Sequence, residues 1–253
     1  MNTKWKVILP TLLLIFFTGT ALADELVMLK GGYQLLSPSG SLGGATTGLG
    51  QKADVERDLN LDDSENITAE VALNLGDFRL SLNYLPIDFS GTGNLTVPVV
   101  IGGETFNIGT TVQSELTVDL YDFGLTYYLI NLDDLPTRVQ LGLELAVKVA
   151  DAKVSFKDTL GTTASESTTA PIPTIGARAR ISLSDFIGVT GRIGYLEFDE
   201  NHFLDAEAQI EFSPVPMVGI YAGYRYFDLK IDESDLFVET DFSGPFAGAL
   251  VRF

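Results

Sequence analysis

Seven of the eight arginines, Arg79, Arg138, Arg178, Arg180, Arg192, Arg225 and Arg252, lie in segments where apolar residues alternate with others, each in the set opposite the apolar one. Lys30 and Lys148 share that parity, as do Glu70, Asp122, Glu144, Asp205, Glu207 and Glu211. A period of two sends alternate side chains to opposite faces of a strand, so these charges would share one face of a sheet. If that face is enclosed they must pair, because an isolated buried ion costs several kcal/mol. Arginine suits such a place, since its planar fork holds a carboxylate through two parallel bonds. The chemistry expected is therefore a buried ion-pair network.

Signals for turnover are sparse. The single histidine, His202, stands within Asp199-Glu200-Asn201-His202-Phe203-Leu204-Asp205, where a His and a carboxylate could together activate water; a histidine with acidic neighbours on a rim is the plainer reading. The chain has no Gly-x-Ser-x-Gly elbow, no metal-type His pair and no phosphate loop, so no cofactor and no metal are expected. Acids cluster at Asp54 to Asp63, Asp199 to Asp205 and Asp228 to Asp241 without EF-hand spacing, and read as solvated loops, with divalent-cation binding as the sharper alternative.

The elements that position these residues follow from the same alternation. Asp24 to Leu36 sets Val27, Leu29, Gly31 and Tyr33 against Lys30, Gly32 and Gln34. Further strands are expected at Glu65 to Leu75, Phe78 to Pro86, Ser114 to Ile130, Arg138 to Val149, Thr174 to Ser182, Ile187 to Tyr195, Leu204 to Phe212, Val218 to Tyr226 and Gly244 to Phe253. In the fourth strand the apolar set runs Leu116, Val118, Leu120 and then Tyr121, Phe123, Leu125, Tyr127. A slip of one residue reads as a β-bulge, above which Glu115 and Asp119 would join the inward charges.

The connections alternate between short turns, at Gly76-Asp77, Asn131 to Pro136, Ser184-Asp185 and Pro214 to Pro216, and long stretches, at Ser37 to Ser64, Ile87 to Gln113, Lys153 to Ala170 and Asp228 to Asp241. Gly102-Gly103 marks a small hairpin inside the second of these. Aromatics gather at both ends: Phe78, Tyr127, Phe186, Phe212 and Phe253 near the short turns, and Tyr33, Tyr84, Tyr121, Phe123, Tyr195, Phe203, Tyr224 and Tyr226 toward the long connections. Two such girdles, with short turns on one side and long loops on the other, describe a sheet that crosses a membrane and closes on itself.

Composition agrees. Lys4 and Lys6, the apolar run Val7 to Phe17 and Ala21-Leu22-Ala23 form a cleavable signal peptide over residues 1–23, leaving 24–253 as one barrel domain. Loss of Lys4 and Lys6 with no acid moves the formal charge from -18 to -20. So acidic a chain excludes nucleic acid as a partner. The absence of cysteine suits an exported chain that needs no disulfides. The last stretch, GPFAGALVRF, alternates and ends on an aromatic, so that Phe246, Gly248, Val251 and Phe253 read as the closing strand and assembly signal.

In this architecture, and in the segments FAGALVRF, TVDLYDFGLTYYL and YAGYRYFDL, the chain resembles the small outer-membrane β-barrel proteins of Gram-negative bacteria, the broad group that includes the OmpW-type and OmpA-type barrels. The resemblance implies an all-β, antiparallel transmembrane barrel in the outer membrane, a monomer, with lipid, lipopolysaccharide and the barrel-assembly machinery as partners. The best-known small members have eight strands, whereas ten are counted here. It implies little about activity: the expected role is structural or binding, with a charged and largely filled lumen and at most narrow passage of small solutes. A porin-like small-solute channel and a hydrolase with His202 at its rim are the alternatives.

Overall fold

A computed structural model describes residues 26–44, 53–101, 103–132, 137–199, 201–215, 217–233 and 236–253. The expected signal peptide, and parts of the turns at 131–136 and 214–216, lie outside the described residues. The strands are β1 (Val27–Gly44), β2 (Ala53–Asp54), β3 (Ser64–Leu75), β4 (Phe78–Asn94), β5 (Val99–Ile101), β6 (Glu104–Phe106), β7 (Thr111–Leu132), β8 (Arg138–Asp158), β9 (Thr163–Ser182), β10 (Ile187–Phe198), β11 (Asn201–Val215), β12 (Val218–Glu233) and β13 (Leu236–Arg252). Eleven of them form one antiparallel sheet in the order β13-β12-β11-β10-β9-β8-β7-β4-β3-β1-β2; β13 also pairs with β1, which closes ten strands into a barrel and leaves the two-residue β2 as an addition to β1. Val27 N donates to Phe253 O at 3.1 Å and Phe253 N to Val27 O at 2.9 Å, so the last residue is stitched to the first strand.

Side-chain direction follows the parity read from the sequence. On β8, Leu143 and Leu145 are more than half exposed while Glu144 is 2 % exposed. A band of exposed Leu, Val, Ile and Phe around the whole wall would be unfavourable in water and is what a lipid-facing surface requires. Phe78 and Tyr127 pair across strands at the short-turn end, with ring centroids 4.9 Å apart, and Tyr84 and Tyr121 at the other, 5.1 Å apart.

The long connections are corrected. Most of what reads as loop continues as strand, because the hairpins run on past the outer aromatics: β8 and β9 stay paired as far as Lys157 and Thr163, and β12 and β13 as far as Glu233 and Leu236. The small hairpin expected at Gly102-Gly103 is β5-β6, in which Ile101 pairs with Glu104; Gly102 lies outside the described residues.

The bulge at Leu120-Tyr121 is also corrected. β7 and β8 pair without a break through Leu120 opposite Ala150 and Tyr121 opposite Val149, and the register shifts only between Tyr128 and Ile130. What changes at Leu120 is the polarity of the interior. Above that level β7 turns Val118, Leu116 and Val112 inward, so the hydrophobic set changes parity while the strand keeps its phase. Glu115 and Asp119 consequently face outward, where Asp119 accepts a 2.7 Å bond from Tyr84 Oη. Phe203 is likewise no girdle residue; it points inward and is 7 % exposed.

Candidate functional site

The inward charges meet in two tiers. Nearer the short turns, Glu70 accepts from Arg79 at 2.7 Å and lies 3.2 Å from Lys30 Nζ. Glu211 takes Arg180 at 3.3 Å and Arg252, and Arg252 also reaches Ser213 Oγ at 3.2 Å. Farther out, Glu144 is held between Arg192 at 2.5 Å and Arg178 at 3.1 Å, with Thr126 donating at 2.9 Å. Lys148 bridges Asp122 and Asp205, each at 2.7 Å, and Arg192 also reaches Asp122. Arg225 binds Asp205 at 3.2 Å and Glu207 at 3.4 Å. Lys148 and Asp122 have no exposed side-chain surface.

The strands bring these residues together for a simple reason. Ten strands converge on one narrow interior, and period two delivers one inward side chain from each strand at each level. Arg138 is the exception among the predicted set: it pairs with Asp185 at 3.1 Å, and both side chains are exposed beside the short turn that leads to β10.

Bulk completes the lower tier. Tyr221 and Phe246 fill the space beside the closing seam, their ring centroids 6.0 Å apart. They fit because Gly32 faces Gly248 across that seam; a Cβ on Gly32 would come within 2.4 Å of Tyr221 Oη, and one on Gly248 within 2.6 Å. Gly248 thus does more than lie within the closing strand. A cavity of about 40 Å³ remains among Lys30, Gln34, Glu70, Asn83, Glu207 and Arg225, the room of a few water molecules.

Above the charges sits an apolar layer that pattern reading missed. Leu36, Leu85, Ile87, Phe89, Leu120, Phe203, Phe227 and Phe242 pack across the lumen from six strands. Phe89 stacks on Phe242 at 5.1 Å, and the Arg225 guanidinium lies 4.9 Å from the Phe227 ring, joining the two layers. The parity exchange in β7, and the run Leu85, Ile87, Phe89 after Arg79, Ser81, Asn83 in β4, are the sequence signals that mark it.

A second apolar cluster caps the outer end, where Ala53, Val55 and Leu59 pack on Leu95, Val99, Phe106, Val112, Phe156 and Ala164. Asp58, fully buried, organises the turn: it accepts from Asp54 N at 2.9 Å, Thr96 Oγ1 at 2.9 Å and Arg57 Nε at 3.3 Å. Burial alone would raise its pKa, but these hydrogen bonds and the Arg57 charge prevail and hold it below the usual carboxylate range. This acid, read from sequence as part of a solvated cluster, is a structural one. Gly91 and Gly93 let the turn approach β4, since a Cβ on either would meet the backbone of Asn60 or Asp58 at about 2.2 and 2.1 Å.

His202 does not face the mouth. It projects from the outer surface of β11, with Nε2 3.0 Å from Asp228 Oδ1 on β12. Among the described residues no group of three His, Cys, Asp or Glu side chains is arranged to hold a metal ion.

No family model matches the chain, and no curated protein matches it. Solved structures do. The outer membrane protease OmpT of Escherichia coli superposes with a TM-score of 0.59 at 10% identity, covering 90% of this chain and 97% of that one. The translocator domain of the autotransporter NalP from Neisseria meningitidis gives 0.45 at 12% identity over 92% and 90% of the two chains, and Ail of Yersinia pestis 0.39 at 11% over 90% and 99%. At such identities the likeness concerns fold. The chain has the closed, ten-stranded, antiparallel barrel fold of the Gram-negative outer-membrane proteins.

Proposed function

We propose that this protein is an outer-membrane barrel closed to solutes, whose role is structural or binding at the outer face. The observation that carries this reading is the Arg192 cluster: one guanidinium among Asp122, Glu144 and Asp205, with Lys148 against Asp122 and Asp205, all buried. Side chains locked in this way fill the cross-section and exclude mobile water, and the apolar layer above them offers ions no hydration. The outward position of the His202-Asp228 pair and the protein-filled mouth support a non-catalytic role. Lipid and lipopolysaccharide are the expected surroundings, and the β13 strand, with Phe253 at its end, is the segment for the assembly machinery to engage. A monomer is expected.

A narrow channel is the second reading, and the polar cavity beside Lys30 and Glu70 is what favours it. Conductance of the purified protein in planar bilayers separates the two. Closed wild-type barrels, with openings that appear and become cation-selective when Arg178 and Arg180 are both replaced by Ala, support the filled lumen. Large, steady openings of the wild type overturn it.

A further inference from the structure

The barrel is closed at the membrane but not above it. β9 pairs with β8 from Thr163 opposite Lys157 down to Ser182 opposite Arg138, without a register break. On its other side β10 covers it only from Ile175 to Ser182. Because β10 ends at Phe198 and β11 begins at Asn201, the wall drops beside β9, and among the described residues 163–174 have a ladder partner on one side alone.

An open strand edge is a row of unpaired N–H and C=O groups, a template for another strand. Part of this one is blunted. Pro171 and Pro173 share a parity, and a proline is compatible with an unbroken ladder only when its nitrogen faces the unpaired side. That leaves Thr163 to Ala170 with donors on the open side at the same parity, namely Thr163, Ser165, Ser167 and Thr169. From Ser165 to Ala170 every side chain is exposed, those of either parity, and all but Glu166 are Ser, Thr or Ala. Beside the edge, at the hairpin tip, Leu160 is 92 % exposed.

We propose that the Thr163–Ala170 edge of β9 binds an extended segment of another protein by adding it to the sheet as a further strand. Backbone ladders supply affinity in such complexes and alternate side chains supply selection. Small hydroxyl side chains form no deep pocket, so the partner is an extended, proline-free segment rich in β-branched residues, with an apolar residue to cover Leu160. A second copy is the poorer occupant. Barrels in one membrane point the same way along its normal, so two β9 edges would meet as parallel strands, and each chain is strongly acidic, with a formal charge of -18 over its full sequence. The proposal concerns the outer wall, and either result of the conductance measurement leaves it untouched.

The test uses the full chain folded in detergent and a labelled peptide of alternating threonine and valine, about eight residues long to match the edge. Binding should saturate, should weaken by about tenfold or more when alternate peptide amides are N-methylated, and should slow deuterium exchange at residues 163–170. Ser165→Pro with Ser167→Pro removes donors on the open side and should weaken binding by a similar factor. Heat-modifiable migration checks that this variant folds, and the N-methylated peptide tests the wild type should it fail. Absence of binding, equal binding of the N-methylated peptide, or unchanged exchange at 163–170 overturns the proposal. So does efficient disulfide cross-linking of Ser167→Cys between copies in the membrane, which gives the edge to a second chain.

Discussion

Within the membrane the wall is apolar outside and charged inside; beyond the outer tyrosines the same strands are polar outside and apolar inside. β7 shows the exchange within one element, with Asp122 and Thr126 inward below Leu120, and Leu116 and Val112 inward above it. The difference teaches that solvent decides which parity is apolar. In lipid the outer face must be hydrocarbon, and the narrow interior can then be filled by paired charges. In water the outer face must be polar, and the barrel end is stabilised as a soluble sandwich is, by an apolar core.

The largest effect should come from opening the seam that both regions share. Phe253→Asp places a charge at the interfacial end of β13 and weakens the reciprocal bonds to Val27. Heat-modifiable protein in the outer membrane should fall sharply. Normal assembly of this variant would remove the seam from the account.

Next in size are changes to the charged interior. Glu144→Gln leaves Arg178 and Arg192 short of a counter-charge in a buried site, and breaking such a pair costs about 3 to 5 kcal/mol. Its neighbour Leu143 faces lipid, and Leu143→Arg should cost about 2 to 4 kcal/mol near the midplane. Urea unfolding of both, in lipid, measures them. A negligible cost for Glu144→Gln would mean that water, and not protein, surrounds these arginines.

In the apolar layer, Phe203→Ala should cost about 3 to 5 kcal/mol if it leaves a cavity. Phe203→Tyr, which keeps the bulk, should cost less. Were Phe203 in the outer girdle as its sequence position suggests, both changes would be mild, so the same unfolding series discriminates between the two placements.

The smallest effect belongs to the outer cap. Asp58→Asn keeps the shape but weakens the bonds to Arg57 and Asp54, by about 1 kcal/mol, and should raise proteolytic nicking near residues 53–62 without unfolding the barrel. The pH dependence has a definite sign. Because the folded pKa of Asp58 is depressed, its contribution is complete above the unfolded value of about 3.9 and is lost as pH falls through the folded value. Nicking of the wild type should therefore rise in acid, and the Asp58→Asn variant should respond less.

Period two was enough to show, from sequence alone, that ten strands cross the membrane zone with one apolar face each, because lipid imposes one rule on every outward side chain. The alternation of short and long connections gave the direction of the strands for the same reason. The pairings were not legible: that Lys148 bridges Asp122 and Asp205, or that Arg138 stands apart, depends on levels set by strand tilt and register, which parity does not carry. Nor was the outer barrel, whose segments read as loops because polar faces above the membrane mimic loop composition. Only the tertiary structure placed Leu120 and Phe203 in one apolar layer, since that layer forms when strands distant in sequence close around a common axis.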